Sequence, residues 1–169
     1  MKVINFFAGP CAGKSTLSAG LFYNMKVQHY NVEYVHEYAK ELTWEERYNC
    51  LTDQLFVTAN QNRMFERLKG KVDWIITDTS LLLSLMYVPD DYYATFEPLL
   101  VDVFNSYDNI NVFVNRPATY CEIGRNQTLE EAKKIDERML ALFDRLKIPY
   151  YETNCNIDPN LLLKFLTKG

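Results

Sequence analysis

The residues Ala8-Gly9-Pro10-Cys11-Ala12-Gly13-Lys14-Ser15-Thr16 have the composition of a phosphate-holding turn. Small residues let the backbone curl tightly, so that consecutive N–H groups around Ala12 to Ser15 point inward. Together with the positive end of a following helix they form a concave anion site. Lys14 can reach the β- and γ-phosphates of a nucleotide, and the Ser15 hydroxyl can hold Mg²⁺. The stretch lies between a run that reads as a strand, Lys2 to Phe7, and apolar residues at helical spacing, which is the setting a Walker A pattern requires. Ala8 stands where that pattern has its first glycine, and Gly9 beside it supplies the flexibility. Gly9 through Thr16 are therefore the candidate ATP-phosphate ligands. The alternative is a glycine-containing turn with a surface lysine, which gives no reason for Gly-Lys-Ser-Thr in this register.

Two carboxylates have the right surroundings to work with such a loop. Val72 to Thr77 is an apolar run ending in Asp78, the way a Walker B strand delivers an acid towards Mg²⁺ or its water shell. Capping the next helix is a compatible role for Asp78. Glu37 follows the second apolar run, at the strand edge where ligands bind in open α/β sheets, and an ionised carboxylate there can accept the proton of an attacking hydroxyl. Its alternative is an acid favoured at a helix start by the dipole alone.

Gln54, Thr58 and Gln61 fall at spacings that share one helical face, with Arg63 nearby. Amide side chains suit a base or carboxamide edge, and a solvated face fits the same pattern. Arg116 ends the fourth apolar run and Arg125 lies in the loop before a capping sequence. Cations there can offset charge on a transferring phosphoryl group, and a loop before a helix can bring one in on closure. Among the aromatics, Tyr38, Trp44 and Tyr92 are candidates to stack on a ring.

The elements that must position these residues follow from periodicity. Apolar runs at Lys2 to Phe7, Asn31 to His36, Val72 to Thr77, Ile110 to Asn115 and Pro149 to Glu152 alternate with helical segments. That rhythm predicts an α/β fold with about five parallel strands flanked by helices, a three-layer sandwich. Helices are expected to start within Gly13 to Thr16, burying Leu17, Leu21 and Met25, and to run from about Glu37 to Tyr48 and from Thr52 to about Lys69. A buried helix should follow Asp78, closed by Pro89-Asp90-Asp91. Thr128-Leu129-Glu130-Glu131 is a capping box for a helix with Ala132, Ile135, Met139, Leu142, Phe143 and Leu146 on one stripe. Asp158-Pro159 opens a short terminal helix. No repeat or Gly/Ser linker marks a second domain, so one domain over 1–169 is expected, with a lid segment near 117–131.

Composition narrows the function. The formal net charge of -4 disfavours extended nucleic-acid binding. Cys11, Cys50, Cys121 and Cys155 are scattered without metal-site spacing, which suits a reduced, cytoplasmic protein. No stretch is long enough to cross a bilayer, and Val3 to Phe7 is too short for a signal peptide.

The combination of Phe7 to Thr16, Val35-His36-Glu37-Tyr38-Ala39-Lys40-Glu41, Asp53-Gln54, Ile76-Thr77-Asp78-Thr79-Ser80 and Gly124-Arg125-Asn126-Gln127 resembles the small AAA-type P-loop kinases related to nicotinamide riboside kinase domains, many of them encoded by bacteriophages. The resemblance covers Met1 to about Glu152. It implies a five-stranded parallel sheet, ATP with Mg²⁺ as donor and a nucleoside hydroxyl as acceptor. It further implies Glu37, Tyr38 and Asp78 near the acceptor, with Arg125 in a lid. A phage source would place the protein in the host cytoplasm. The expected catalytic set is Lys14, Glu37, Asp78 and Arg125, the expected metal ligands are Ser15 and Asp78, and the acceptor set is Tyr38, Gln54, Gln61, Arg63 and Arg116. A homodimer is left open. Competing readings are a kinase for modified bases in DNA, a P-loop ATPase without a small-molecule acceptor, and an inactive nucleotide-binding module. A guanine-specific switch lacks its motifs, because Asp78-Thr79-Ser80-Leu81 replaces Asp-x-x-Gly and there is no Asn-Lys-x-Asp.

Overall fold

Strand β1 (Lys2–Phe7) is apolar on both faces, and the sheet grows outward from it on either side. In the computed structural model, which describes residues 1–117 and 128–167, it is joined by β2 (Val32–Val35), β3 (Trp74–Thr77), β4 (Asp108–Asn115) and β5 (Tyr151–Asn154). The order is β2-β3-β1-β4-β5 and every pairing is parallel. Alternate residues of β1 serve two cores. Val3 and Phe7 join Ile75 and Phe113 on one face, while Ile4 and Phe6 join Ile76, Val112 and Val114 on the other. Burial on both faces is why these strands read as unbroken apolar runs. Asn5 is the polar exception: its amide donates to Asn109 at 2.9 Å and to Asn111 at 3.3 Å, tying β1 to β4 where Asn5 and Asn111 are in register.

The helices cover both faces, completing the expected three-layer α/β sandwich. Helices α1 (Lys14–Val27) and α7 (Pro159–Leu166) close the second core. The first core is closed by α4 (Gln54–Glu66), a 3₁₀ helix (Leu81–Met86), α5 (Phe96–Asn105) and α6 (Leu129–Leu146). Helix α6 has the expected capping box, with Glu131 N–H donating to Thr128 Oγ1 at 3.3 Å and Thr128 N–H donating to the Glu131 carboxylate at 2.7 Å. A cap contributes about 1 kcal/mol. Burial of Ala132, Ile135, Met139, Leu142 and Phe143 contributes more, at roughly 1.5–3 kcal/mol for each large side chain, so packing decides the helix and the box decides where it starts.

Several boundaries differ from expectation. The helix expected from Glu37 to Tyr48 is two, α2 (Tyr38–Trp44) and α3 (Tyr48–Leu51). Glu46 has φ 56°, and the N–H groups of Glu46 and Arg47 turn back to Thr43 O at 3.2 Å and Leu42 O at 2.9 Å, a Schellman closure without glycine. The stretch after Asp78 is buried as expected but winds as a 3₁₀ helix. Helix α5 is an addition that periodicity does not announce. Its Pro98 reads as a breaker, yet it sits in the first turn, where a missing N–H costs no helical bond. Strand β5 begins at Tyr151 rather than Pro149.

Candidate active site

Parallel pairing brings the ends of β1, β2 and β3 to one edge. From β1 the chain crosses to the β2 side of the sheet and from β3 it crosses to the β4 side, and this divergence between neighbouring strands opens a crevice. A cavity of about 690 Å³ fills it, with the phosphate loop at one end and Glu37, α2, α3, α4 and the 3₁₀ helix around the other.

At the phosphate end, Gly13 caps α1 with φ 87°, a left-handed conformation suited to glycine, and aims the helix start into the cavity. Cys11 adopts φ 61° in the same loop, strain of about 1–2 kcal/mol that the surrounding contacts must offset. Lys14 Nζ donates to the carbonyls of Ala8 at 2.7 Å and Gly9 at 3.0 Å, folding the lysine back over its own loop. Ser15 Oγ donates to Asp78 Oδ2 at 2.5 Å. Asp78 is 4% exposed, and its Oδ1 is buried with no hydrogen-bond partner among the described residues. An orphaned buried carboxylate oxygen beside a hydroxyl is a hard-oxygen pair that fits Mg²⁺. Asp78 does not cap the following helix: Ser80 does, accepting from Leu82 N–H at 3.3 Å.

Tyr34, on β2, was not legible as a site residue. Its hydroxyl is 3.0 Å from Ser18 Oγ, which in turn donates to Ser15 O at 3.1 Å. Burial pushes this phenol well above the ordinary tyrosine range, the charges of Asp78 and Glu37 push the same way, and the Ser18 hydrogen bond opposes them. Tyr34 thus holds its phenol proton beside the Ser18–Ser15 hydrogen-bond chain, with the charges of Asp78 and Glu37 nearby.

The loop is braced from behind. Asp136, on α6, accepts the Gly9 N–H with one oxygen and Arg116 with the other, at 2.9 Å from Nε and 2.8 Å from the terminal nitrogen. Arg116 also donates to Pro10 O and, at 3.4 Å, to Ala132 O. Arg116, expected on the acceptor side, is therefore engaged with the back of the phosphate loop. A Cβ at Gly9 would come within 2.5 Å of Ala132 O, and one at Gly13 within 2.4 Å of the Cys155 Cβ. Neither brace leaves a local sequence signal, since both join residues far apart in the chain.

At the other end, Glu37 precedes α2 with φ -73° and ψ 116°, and its carboxylate makes no capping bond to that helix. It lines the cavity, as do Gln54 and Gln61. The polar stripe on α4 is buried rather than solvated. Gln54 donates to Leu51 O at 2.7 Å, Thr58 to Ser84 Oγ at 2.9 Å, and Gln61 to His36 O at 3.1 Å. Arg63 is exposed and does not line the cavity. Tyr38 turns its ring to Phe56, 5.8 Å away, and Tyr92 accepts the Leu55 N–H and packs edge-to-face against Phe96. Trp44 does line the cavity, together with Tyr48 and Tyr87, which spacing did not single out. Arg125 and most of the expected lid fall outside the described residues.

A family model described as an AAA domain matches residues 3–158. No curated protein sequence matches the chain. Among solved structures, the NadR protein in complex with NAD and AMP-PNP superposes with TM-score 0.67 at 18% identity, over 98% of this chain and 48% of that one. NadR in complex with NR gives 0.69 at 17%, over 89% and 45%. This chain thus spans about half the length of NadR. Deoxyadenosine kinase from M. mycoides, with products dCMP and a flexible dCDP bound, gives 0.62 at 17%, over 98% of this chain and 96% of that one. At these identities the likeness is one of fold, and the fold is that of a P-loop kinase. Among the described residues no helix is long and apolar enough to cross a membrane.

Proposed function

The chain belongs to the AAA domain family, and we propose that it is an ATP- and Mg²⁺-dependent phosphotransferase moving the γ-phosphate to a hydroxyl of a nucleoside or nucleotide-like small molecule. The observation that carries this reading is the continuity of one cavity, which runs from the phosphate loop past Glu37 to an aromatic rim. A hydrolase needs room for water beyond the γ-phosphate; a chamber this large, edged with rings, suits an organic acceptor.

In this reading the amides of Ala12 to Ser15 and the Lys14 ammonium hold the phosphates, with Lys14 exchanging its loop carbonyls for phosphoryl oxygens. Ser15 and Asp78 hold Mg²⁺, which when bound offsets charge on the β- and γ-oxygens. Glu37 accepts the acceptor's hydroxyl proton, and Trp44, Tyr48 and Tyr87 hold its ring by stacking. Arg116 fixes the loop through Asp136 and Pro10 rather than touching the acceptor. The NAD, AMP-PNP and NR of the NadR complexes, and the dCMP and dCDP of deoxyadenosine kinase, are in keeping with a nucleoside-like acceptor in a fold of this kind.

The test is ATP consumption with mass-spectrometric product detection across ribonucleosides, deoxynucleosides, their monophosphates, nicotinamide riboside and DNA carrying modified bases, with Lys14→Ala as the control. Transfer to one free nucleoside or nucleotide establishes the reading and identifies the acceptor. Transfer only to DNA, or hydrolysis without any acceptor, overturns it.

A further inference from the structure

Among the described residues β2 pairs with β3 alone, at the edge of the sheet, and their ladder ends at Val35 opposite Thr77. The chain beyond it, His36-Glu37-Tyr38, has no strand neighbour to fix its peptide planes. Tyr38 N–H is the first amide of α2 and has no partner within that helix. Both deficits are met by one side chain. Gln61 Oε1 accepts the Tyr38 N–H at 2.8 Å, and Gln61 Nε2 donates to His36 O at 3.1 Å. These two groups belong to the peptide bonds on either side of Glu37, so a single carboxamide pins both planes that set the direction of the Glu37 side chain.

Gln61 is itself well anchored. It is 5% exposed on the buried face of α4, and α4 is capped by Asp53, which accepts the Phe56 N–H at 3.1 Å. The neighbouring polar residues of that face act alike on other cavity-lining segments: Gln54 holds the end of α3 at Leu51, and Thr58 holds the 3₁₀ helix at Ser84. The stripe is a row of struts reaching from one rigid helix to three cavity-lining segments.

We infer that Gln61 is the positioning residue for Glu37, setting the carboxylate's aim through the two flanking peptide groups rather than by contact with the acceptor. This rests on the reading of Glu37 as the base. Only a carboxamide fits the role in full, because one group must donate and the other accept. Glutamate keeps the bond from Tyr38 N–H and loses the one to His36 O, while methionine keeps the length and loses both.

The experiment is a double-mutant cycle of Gln61→Met with Glu37→Gln. It is assayed by steady-state transfer from radiolabelled ATP to an equimolar mixture of nucleosides, deoxynucleosides, their monophosphates and nicotinamide riboside. Gln61→Met is expected to lower kcat roughly 10- to 100-fold, with the KM for ATP and the apparent KM for the mixture changed less than about two-fold. In the Glu37→Gln background the same substitution should cost nothing further, because there is no base left to aim. Gln61→Glu should fall between wild type and Gln61→Met in kcat, and it carries the test should the methionine variant not fold. An equal loss in both backgrounds, or a loss confined to the apparent KM for the mixture, overturns the positioning role and makes Gln61 an acceptor contact or a purely structural residue. Wild-type kcat in Glu37→Gln alone, or no transfer by the wild type, overturns the base or kinase reading and removes this inference with it. The two failures are therefore separable.

Discussion

The two ends of the cavity are built by different means. At the phosphate end the working groups are mostly main chain, shaped by left-handed Gly13 and Cys11 and braced by Asp136, Arg116 and Cys155. At the acceptor end the groups facing the cavity are side chains on short helices, and the aromatic ones stand well out of the fold. Trp44 is 71% exposed, Tyr48 52% and Tyr87 40%. On the proposed function, the difference follows from the ligands. A triphosphate has the same shape in every reaction, so its cradle can be cast in backbone and locked from behind. An acceptor is recognised by its ring and hydroxyls, which side chains on a separate subset of elements can read without disturbing the cradle.

Four substitutions test whether the two ends work separately. Lys14→Ala should cost most, lowering kcat about 1,000-fold with an unchanged circular-dichroism spectrum; near wild-type turnover in a folded variant would remove the phosphate end from the chemistry altogether. Arg116→Met leaves the Asp136 carboxylate without its cation in a pair whose side chains are only 9% and 16% exposed. It should lower stability to urea by about 3 kcal/mol and weaken ATP binding along with it. A loss seen only in acceptor KM would return Arg116 to the acceptor side. Trp44→Ala should raise acceptor KM by an amount worth about 1–2 kcal/mol and leave ATP binding alone; weaker ATP binding would mean that the two ends are not separate. The smallest effect is expected at Tyr34, which hydrogen-bonds to Ser18 on α1. Its folded pKa lies above that of the unfolded chain, where tyrosine ionises near 10. The folded state therefore holds the proton more tightly, and stability falls as pH rises above about 10. Tyr34→Phe should flatten that alkaline decline without abolishing it, since Tyr107 and Tyr150 are raised in the same direction. Urea titrations at pH 8 and pH 11 measure the difference, and an unchanged slope would deny Tyr34 the partial burial that raises its pKa.

The same division governs what could be read from residues alone. The phosphate loop was legible because its chemistry is local: a contiguous run dictates its own backbone, and the strand before it and helix after it are periodic. Asp78 was legible for the same reason, as the acid ending an apolar strand. The acceptor end was not. Helices α1, α2 and α6 each end with a residue at positive φ that is not glycine, namely His29, Glu46 and Lys147, so the break between α2 and α3 carried no punctuation. The stripe of Gln54, Thr58 and Gln61 was visible, yet its burial depends on which elements lie opposite, and periodicity is silent about that. Trp44 was picked out from among the aromatics, whereas Tyr48 and Tyr87 were missed, because ring content alone does not say which rings face a cavity. The clamp of Arg116 and Asp136 was illegible from either residue, since its meaning lies in Gly9 and Pro10, which only the folded sheet brings near.

The contact between Gly13 and Cys155 has a consequence for how the protein is made. Gly13 leaves the ribosome well before the residues of β4, α6 and β5, and Cys155 follows all of them. The phosphate cradle therefore waits, incompletely supported, until the far edge of the sheet has been synthesised and docked. Nucleotide affinity should then arise late and abruptly along the nascent chain, so a ribosome stalled before β5 would display a loop with every residue of its motif and little grip on ATP.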